Sequence, residues 1–211
     1  MSNQLAFYFD ASACSGCKAC MAACKDRSDL PVGVNWRKVF QYGGGGWVPD
    51  PLDPRYTLPN NIYSYAVSVA CMHCENPLCA DVCPASAITK QADGTVLINT
   101  DLCIGCRYCE WACPYGAPQF NEGTGQMTKC DFCVDLQAQG LNPACVDACV
   151  MRALEVGDLD ELRQEHGSID AIEPLPLANI TKPALVVKPH RHSSPSGQGA
   201  GRINDPFAEE V

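Results

Sequence analysis

The residues that could do chemistry are cysteines, and their densest stretch is Cys103-Ile104-Gly105-Cys106-Arg107-Tyr108-Cys109-Glu110-Trp111-Ala112-Cys113-Pro114. Three cysteines at intervals of three, a fourth after a gap of three residues, then proline, form a run that ligates 4Fe-4S clusters. Three thiolates on one tight loop cap three corners of a cubane, and Gly105 lets the backbone curl close to inorganic sulfide. The fourth cysteine opens a short helical turn, points away, and serves a second cluster. One such run therefore predicts a partner run.

Partner runs are present. Cys14, Cys17, Cys20 and Cys24 repeat the pattern, and subtracting positions, from 103 − 14 to 113 − 24, gives an offset of 89 each time. Two looser quartets, Cys71, Cys74, Cys79 and Cys83, then Cys130, Cys133, Cys145 and Cys149, complete the 16 cysteines. Cys83-Pro84-Ala85-Ser86-Ala87-Ile88 matches Cys149-Val150-Met151-Arg152-Ala153-Leu154 in the second alanine and the aliphatic residue after it, so internal duplication is the simplest reading.

Because the fourth cysteine crosses to the partner loop, a pairing follows. Cys71, Cys74 and Cys79 share a cluster with Cys113, while Cys103, Cys106 and Cys109 take Cys83. Cys14, Cys17 and Cys20 join Cys149, and Cys130, Cys133 and Cys145 join Cys24. The expected fold class is α+β: two nested bacterial-ferredoxin-like dicluster units with short strands, short helices and long loops. Residues 61–118 form the inserted unit, residues 1–60 plus 119–170 the outer one, and residues 171–211 an extended C-terminal docking tail. Proline is missing after Cys24 and Cys149, which weakens the outer unit's signature while leaving its ligands intact.

The chain has 211 residues and a formal net charge of −9. Oxidised clusters with four thiolates carry about −2 each, so roughly −8 is added on loading, and nucleic acid is excluded as a partner. Lys18, Lys25, Arg107 and Lys129 adjoin cysteines, and Arg152 stands three positions from Cys149. Two readings stand: they offset cluster charge, or they are ordinary surface charges. Metal–ligand bonds are expected to supply much of the folding free energy. Disulfides are disfavoured because gaps of two and three residues give few relaxed pairings. Structural zinc asks for two well-separated CxxC knuckles, whereas three cysteines here crowd one loop. Iron and acid-labile sulfide analysis separates the two metals.

The elements that must position the cysteines are short. Leu5, Phe7 and Phe9 alternate with more exposed positions and suggest a strand feeding the first loop, with a helix over residues 18–25. Residues 29–61, with Pro31, Pro49, Pro51, Pro54, Pro59 and four consecutive glycines from Gly43, read as a long irregular insertion. A phosphate-loop reading is weak, and a partner-contact loop around Trp36 and Trp47 is favoured over a connector. Residues 62–70 read as a strand, residues 87–99 as a hairpin around Asp93-Gly94, and residues 118–129 as another around Gly123. Residues 131–139 read as a helix ended by Gly140, residues 154–156 as a strand, and residues 158–166 as a helix capped by Asp158. The tail is rich in proline, yet Leu175, Leu177, Ile180, Leu185, Val186 and Val187 favour docking onto a partner over disorder. His73 reads as a spacer or a support, since sixteen cysteines fill four clusters; His190 and His192 read as solvated. No targeting segment or membrane span is visible, and no catalytic constellation or nucleotide fingerprint stands out.

The quartet order, the run from Cys103 through Tyr115-Gly116-Ala117-Pro118, and Met127-Thr128-Lys129-Cys130-Asp131-Phe132-Cys133 resemble the iron-sulfur B subunits of dimethyl sulfoxide reductase. The resemblance extends over nearly the whole chain, including Asp160-Glu161-Leu162-Arg163 and Thr181-Lys182-Pro183. It implies a non-catalytic electron-transfer subunit with four 4Fe-4S clusters. Its partners would be a molybdopterin-containing catalytic subunit and a quinol-oxidising membrane anchor subunit, or a cytochrome donor. The cluster on Cys14, Cys17, Cys20 and Cys149 would face the molybdenum subunit, and that on Cys83, Cys103, Cys106 and Cys109 the quinol end. Related nitrate reductase subunits carry tryptophan at the position of Cys106 and a 3Fe-4S cluster, so cysteine implies 4Fe-4S at every site. The family's B subunit is exported with a twin-arginine-tagged partner, which implies a peripheral subunit on the periplasmic face. The acceptor is chosen by another polypeptide, so polysulfide, tetrathionate or selenate wires remain alternatives. A free-standing polyferredoxin carrier also stands, though a diffusing carrier has no use for extra docking surface.

Overall fold

A computed structural model describes residues 4–204; Met1, Ser2, Asn3 and residues 205–211 lie outside it, and with them the first N-terminal positions and Pro206 of the tail. The strands in chain order are β1 (Leu5–Asp10), β2 (Lys38–Pro49), β3 (Thr57–Val69), β4 (Ile88–Lys90), β5 (Val96–Ile98), β6 (Gln119–Asn121), β7 (Gln126–Thr128), β8 (Leu154–Asp158), β9 (Leu185–Lys188) and β10 (Arg202–Ile203). The helices are α1 (Ala19–Arg27), α2 (Leu78–Asp81), α3 (Tyr108–Ala112), α4 (Val134–Gln137), α5 (Ala144–Asp147) and α6 (Leu159–His166). These short elements, joined by long loops, make the expected α+β fold. They form two three-stranded sheets, ordered β8-β1-β9 and β10-β2-β3, and the hairpins β4-β5 and β6-β7.

Strand β1 is central and buried on both faces, which corrects the alternating exposure expected for it. Phe7 and Phe9 enter the main core with Val67, Phe132, Leu154, Leu185 and Val187. Ala6 and Tyr8 pack on the other face with Leu159, Leu162, Ala184 and Val186. That second face is covered by α6. Asp158 caps this helix by accepting from the amides of Asp160 at 2.8 Å and Glu161 at 3.3 Å. Its last residue, His166, stacks on Tyr8 with ring centroids 3.8 Å apart.

The insertion is ordered, contrary to the irregular loop expected. Strands β2 and β3 pair antiparallel from Lys38↔Val69 to Pro49↔Thr57, with a bulge between Gly44 and Gly46. Gly45, at φ +86°, faces the Asn61 backbone so closely that a side chain has no room. The glycine run is thus a bulged strand. Trp36 is half-buried, its Nε1 donating to Thr128 Oγ1 at 3.1 Å. Trp47 is 66% exposed.

The tail also folds onto its own chain. Strand β9 runs parallel to β1 in the register Phe7↔Leu185 and Phe9↔Val187. Upstream, the carbonyls of Lys182 and Thr181 accept from the amides of Glu75 at 2.8 Å and Asn76 at 2.9 Å. The apolar run expected to lie on a partner is therefore occupied by an internal sheet edge. The helix expected over residues 131–139 shrinks to α4 because Phe132 and Cys133, at φ 64° and 51°, are left-handed. His190 is half-buried, stacked on Tyr65 at 5.2 Å between centroids, whereas His192, 6.2 Å from Tyr63, is exposed as expected.

Leu185→Ala should cost about 2–5 kcal/mol of stability, whereas Leu177→Ala, at an exposed position, should change it by about 0.5 kcal/mol or less. Denaturant melts of the holo protein measure both. Equal effects would overturn the internal docking of β9.

Candidate iron-sulfur sites

The cysteine loops share a backbone pattern that makes the duplication visible in three dimensions. Gly16 and Gly105, at φ 70° and 69°, occupy matching places, as do Lys18 and Arg107 at φ 61° and 66°. His73 and Phe132 correspond at φ 41° and 64°, and Ser86 and Arg152 at φ 48° and 51°. Left-handed residues turn successive amides to one side, giving a concave set of N–H donors suited to an anion. Ala87 N donates to Cys83 Sγ and Ala153 N to Cys149 Sγ, each at 3.2 Å. Met127 N reaches Cys103 Sγ and Phe132 N reaches Cys130 Sγ, each at 3.4 Å.

Three cavities each gather four cysteines. One is lined by Cys71, Cys74, Cys79 and Cys113. A second is lined by Cys83, Cys103, Cys106 and Cys109, and a third by Cys14, Cys17, Cys20 and Cys149. The remaining four, Cys24, Cys130, Cys133 and Cys145, act on one another electrostatically: Cys24 feels Cys145 and Cys133, and Cys130 feels Cys145 and Cys24.

The sets adjoin one another. Cys20 of the first set and Cys145 share one core, Cys130 packs with Cys71 and Cys113, and Cys79 packs with Cys83, Cys103 and Cys109.

The donor sets fit 4Fe-4S clusters. Each of the three cavities offers four sulfurs and largely apolar walls, and amides point at the sulfurs. Burial pushes the thiols of Cys24, Cys74 and Cys79 up to about 12 and that of Cys109 to about 11, so as free groups they hold their protons. Ligation to iron releases those protons, and the metal charge offsets the desolvation of the thiolates.

Buried polar groups lie between the sets. Lys129 is enclosed, donating to the carbonyls of Val96 and, at 3.0 Å, Cys130, and it also lines the Cys71 cavity. His73 is fully buried; Val96 N donates to its Nδ1 at 2.9 Å, which leaves the proton of the neutral ring on Nε2. Burial, helped by the Lys129 ammonium, holds its pKa well below the usual value, so it supports the loop as a neutral ring. Arg37, which sequence reasoning missed, is also fully enclosed. Its Nη1 donates to Ser68 Oγ at 3.1 Å, and its guanidinium carbon lies 4.7 Å from the centre of the Phe7 ring. No cysteine stands near it in sequence; the only cue is a charge at the head of an apolar strand. Of the other sequence-adjacent cations, Lys25 holds the carbonyls of Pro31 and Val34 at 2.9 Å, Arg107 pairs with Glu110 at 2.8 Å, and Arg152 holds the Asp147 carbonyl at 3.2 Å.

Residues 62–159 match the family of 4Fe-4S dicluster domains. Across 206 residues, 98% of this chain and 98% of the relative, the sequence is 48% identical to the B subunit of anaerobic dimethyl sulfoxide reductase from Escherichia coli. This polypeptide belongs to the family of dimethyl sulfoxide reductase B subunits. The B subunit from Haemophilus influenzae is 47% identical over 97% of this chain and 98% of its own length. The B subunit of polysulfide reductase from Wolinella succinogenes is 35% identical over 90% of this chain and 97% of its own length. As a B subunit with a dicluster domain, the protein binds iron-sulfur clusters and transfers electrons within a multi-subunit reductase, without catalysing the reduction itself. No helix among the described residues is long and apolar enough to cross a membrane.

Asp10 holds the entrance to the first loop. Its Oδ1 accepts from the amides of Ser12 at 2.8 Å and Ala13 at 3.1 Å, and its Oδ2 from Lys188 Nζ at 2.8 Å. Burial pushes its carboxyl up, but the Lys188 ammonium and the Ser12 donors outweigh that and hold it below the usual 3.8. A depressed folded pKa stabilises above the unfolded value and is lost as pH falls through the folded one. Asp10→Asn should therefore lower the melting temperature at pH 7, with the difference from the parent shrinking below pH 3.8. Far-UV circular dichroism melts across that range measure it, and a difference independent of pH would refute the ion pair's contribution.

Proposed function

We propose that the protein relays electrons through four 4Fe-4S clusters, from a quinol-oxidising membrane subunit or a cytochrome donor to a molybdopterin-containing catalytic subunit of a dimethyl sulfoxide reductase. The ligand sets are Cys14, Cys17, Cys20 and Cys149; Cys24, Cys130, Cys133 and Cys145; Cys71, Cys74, Cys79 and Cys113; and Cys83, Cys103, Cys106 and Cys109. Residues 61–118 supply an inserted dicluster unit within residues 1–60 and 119–170. The observation that carries this reading is the packing of cysteines of successive sets against one another.

When bound, each cluster takes up one electron with its charge spread over the cubane. The protein's own residues do the rest: thiolates hold the iron, amides and buried cations set the potential, and apolar walls exclude water. Both ends of the proposed relay carry exposed apolar side chains suited to partners. Beside Cys149, Val150 is 70% exposed; beside Cys109 and Cys113, Trp111 is 74% exposed. We assign the Cys149 end to the molybdenum subunit and the Cys109 end to the quinol side. Co-export with the catalytic partner would leave the protein peripheral on the periplasmic face. The higher identity to the B subunit of dimethyl sulfoxide reductase than to that of polysulfide reductase favours the former's acceptor.

Anaerobic purification from the native cell, with iron and molybdenum followed through size exclusion, tests the relay. Molybdenum should coelute with iron in a large complex active towards dimethyl sulfoxide; iron in a monomeric peak without molybdenum would restore the free ferredoxin reading. Cys106→Ser should convert one cluster to a 3Fe form with a paramagnetic signal in the oxidised protein. If that signal is absent, the ligand set containing Cys106 is wrong.

A further inference from the structure

We propose that Arg37 is a shared positioning cation lying between the first and second cluster sites, and that it raises the reduction potential of both. The proposal rests on the ligand sets assigned above.

The guanidinium is enclosed: Arg37 is 3% exposed. Among the described residues it meets no carboxylate, and its Nε and Nη2 are buried without hydrogen-bond partners. A desolvated cation of this kind is costly unless negative charge compensates it. The groups that supply such charge are thiolates. Those acting most strongly on Arg37 are Cys145, Cys20, Cys130 and Cys24, one from the first set and three from the second. On the side of the first set the contact is relayed. Arg37 Nη1 donates to Ser68 Oγ at 3.1 Å, and Ser68 Oγ lies 3.5 Å from Cys20 Sγ.

The rest of the pocket fixes the fork in place. Phe7 lies under the guanidinium at 4.7 Å and is itself stacked on Phe132 at 4.2 Å, and Phe132 adjoins Cys133. The hairpin register pairs Val39 with Ser68, so β2 and β3 deliver Arg37 and its anchor to the same spot. Nε and Nη2 are unpartnered donor nitrogens in a buried pocket where cysteines of both sets act on the guanidinium. One-electron reduction adds a negative charge to a cluster. A fixed cation with little solvent screening stabilises that added charge, and one placed between two sites does so for both.

The test uses the full-length protein in its reductase complex, purified anaerobically, with iron and sulfide assayed and each cluster's midpoint potential read by electron paramagnetic resonance during dithionite titration. Arg37→Met should make reduction of two of the clusters at least tenfold less favourable, a fall of about 59 mV per decade for a one-electron couple, and move the other two less. Arg37→Lys, which keeps the charge, should restore most of the loss. Unmoved potentials in a fully loaded Arg37→Met protein, or equal shifts at all clusters, would overturn the proposal. Should Arg37→Met lose its iron, Ser68→Ala decides: it frees the anchored nitrogen while leaving the charge, and should shift the same two potentials by less. In that case, potentials unmoved in Ser68→Ala overturn it too. A parent protein without iron and sulfide would instead bring down the ligand assignment and this proposal with it.

Discussion

Sulfur convergence is the constraint on which the fold depends. Each proposed set takes three cysteines from one stretch of chain and a fourth from a remote segment, so segments far apart in sequence must be held in fixed register. For the first set that register is the β1–β8 ladder. Phe9 pairs with Leu154, Asp10 N donates to Ala153 O at 2.8 Å, and Ala153 N in turn donates to Cys149 Sγ at 3.2 Å. A slip of one residue would reverse every side chain on β1 and carry Cys149 away from Cys14. Strand β9 on the other edge and α6 beneath then follow, because a central strand must be covered on both faces. Thr181, just upstream of β9, lines the cavity of the Cys71 set, so the same C-terminal segment that completes the sheet also closes a site.

What was legible in the sequence was what spacing and local chemistry encode. The quartets, the two short hairpins and the capped helix α6 depend on residues close in sequence: CxxC intervals, an Asp-Gly turn, and Asp158 ahead of a helical stretch. The long hairpin was hidden because prolines and glycines signal loops, and only the facing backbone of Asn61 reveals why Gly45 sits in a strand. Strand β9 was hidden for another reason. A parallel pairing such as Tyr8 with Val186 joins opposite ends of the sequence, and nothing local to either strand specifies its partner. Within the sites, cysteine identity was readable, whereas the electrostatics were not.

The reason lies in burial. Nearness to a cysteine in sequence does not make a cation effective, since a charge in water is screened and one already paired is spent on its partner. Arg107 faces Glu110 and Lys25 binds loop carbonyls, so both serve chiefly to fix loop shape. Lys129 and Arg37 are enclosed, Lys129 where the second and third sets meet and Arg37 where the first and second meet.

Such placement bears on a relay more than on any single site. An electron arriving at one cluster raises the cost of reducing its neighbour, and that repulsion is largest where the intervening medium is apolar. The same apolar packing is what keeps water from the sulfurs and brings adjacent sets into contact. A dry row without internal cations would therefore insulate its sites well and oppose their reduction together. Placing buried positive charge at the junctions resolves that conflict, and it does so at positions that only folding brings beside the cysteines.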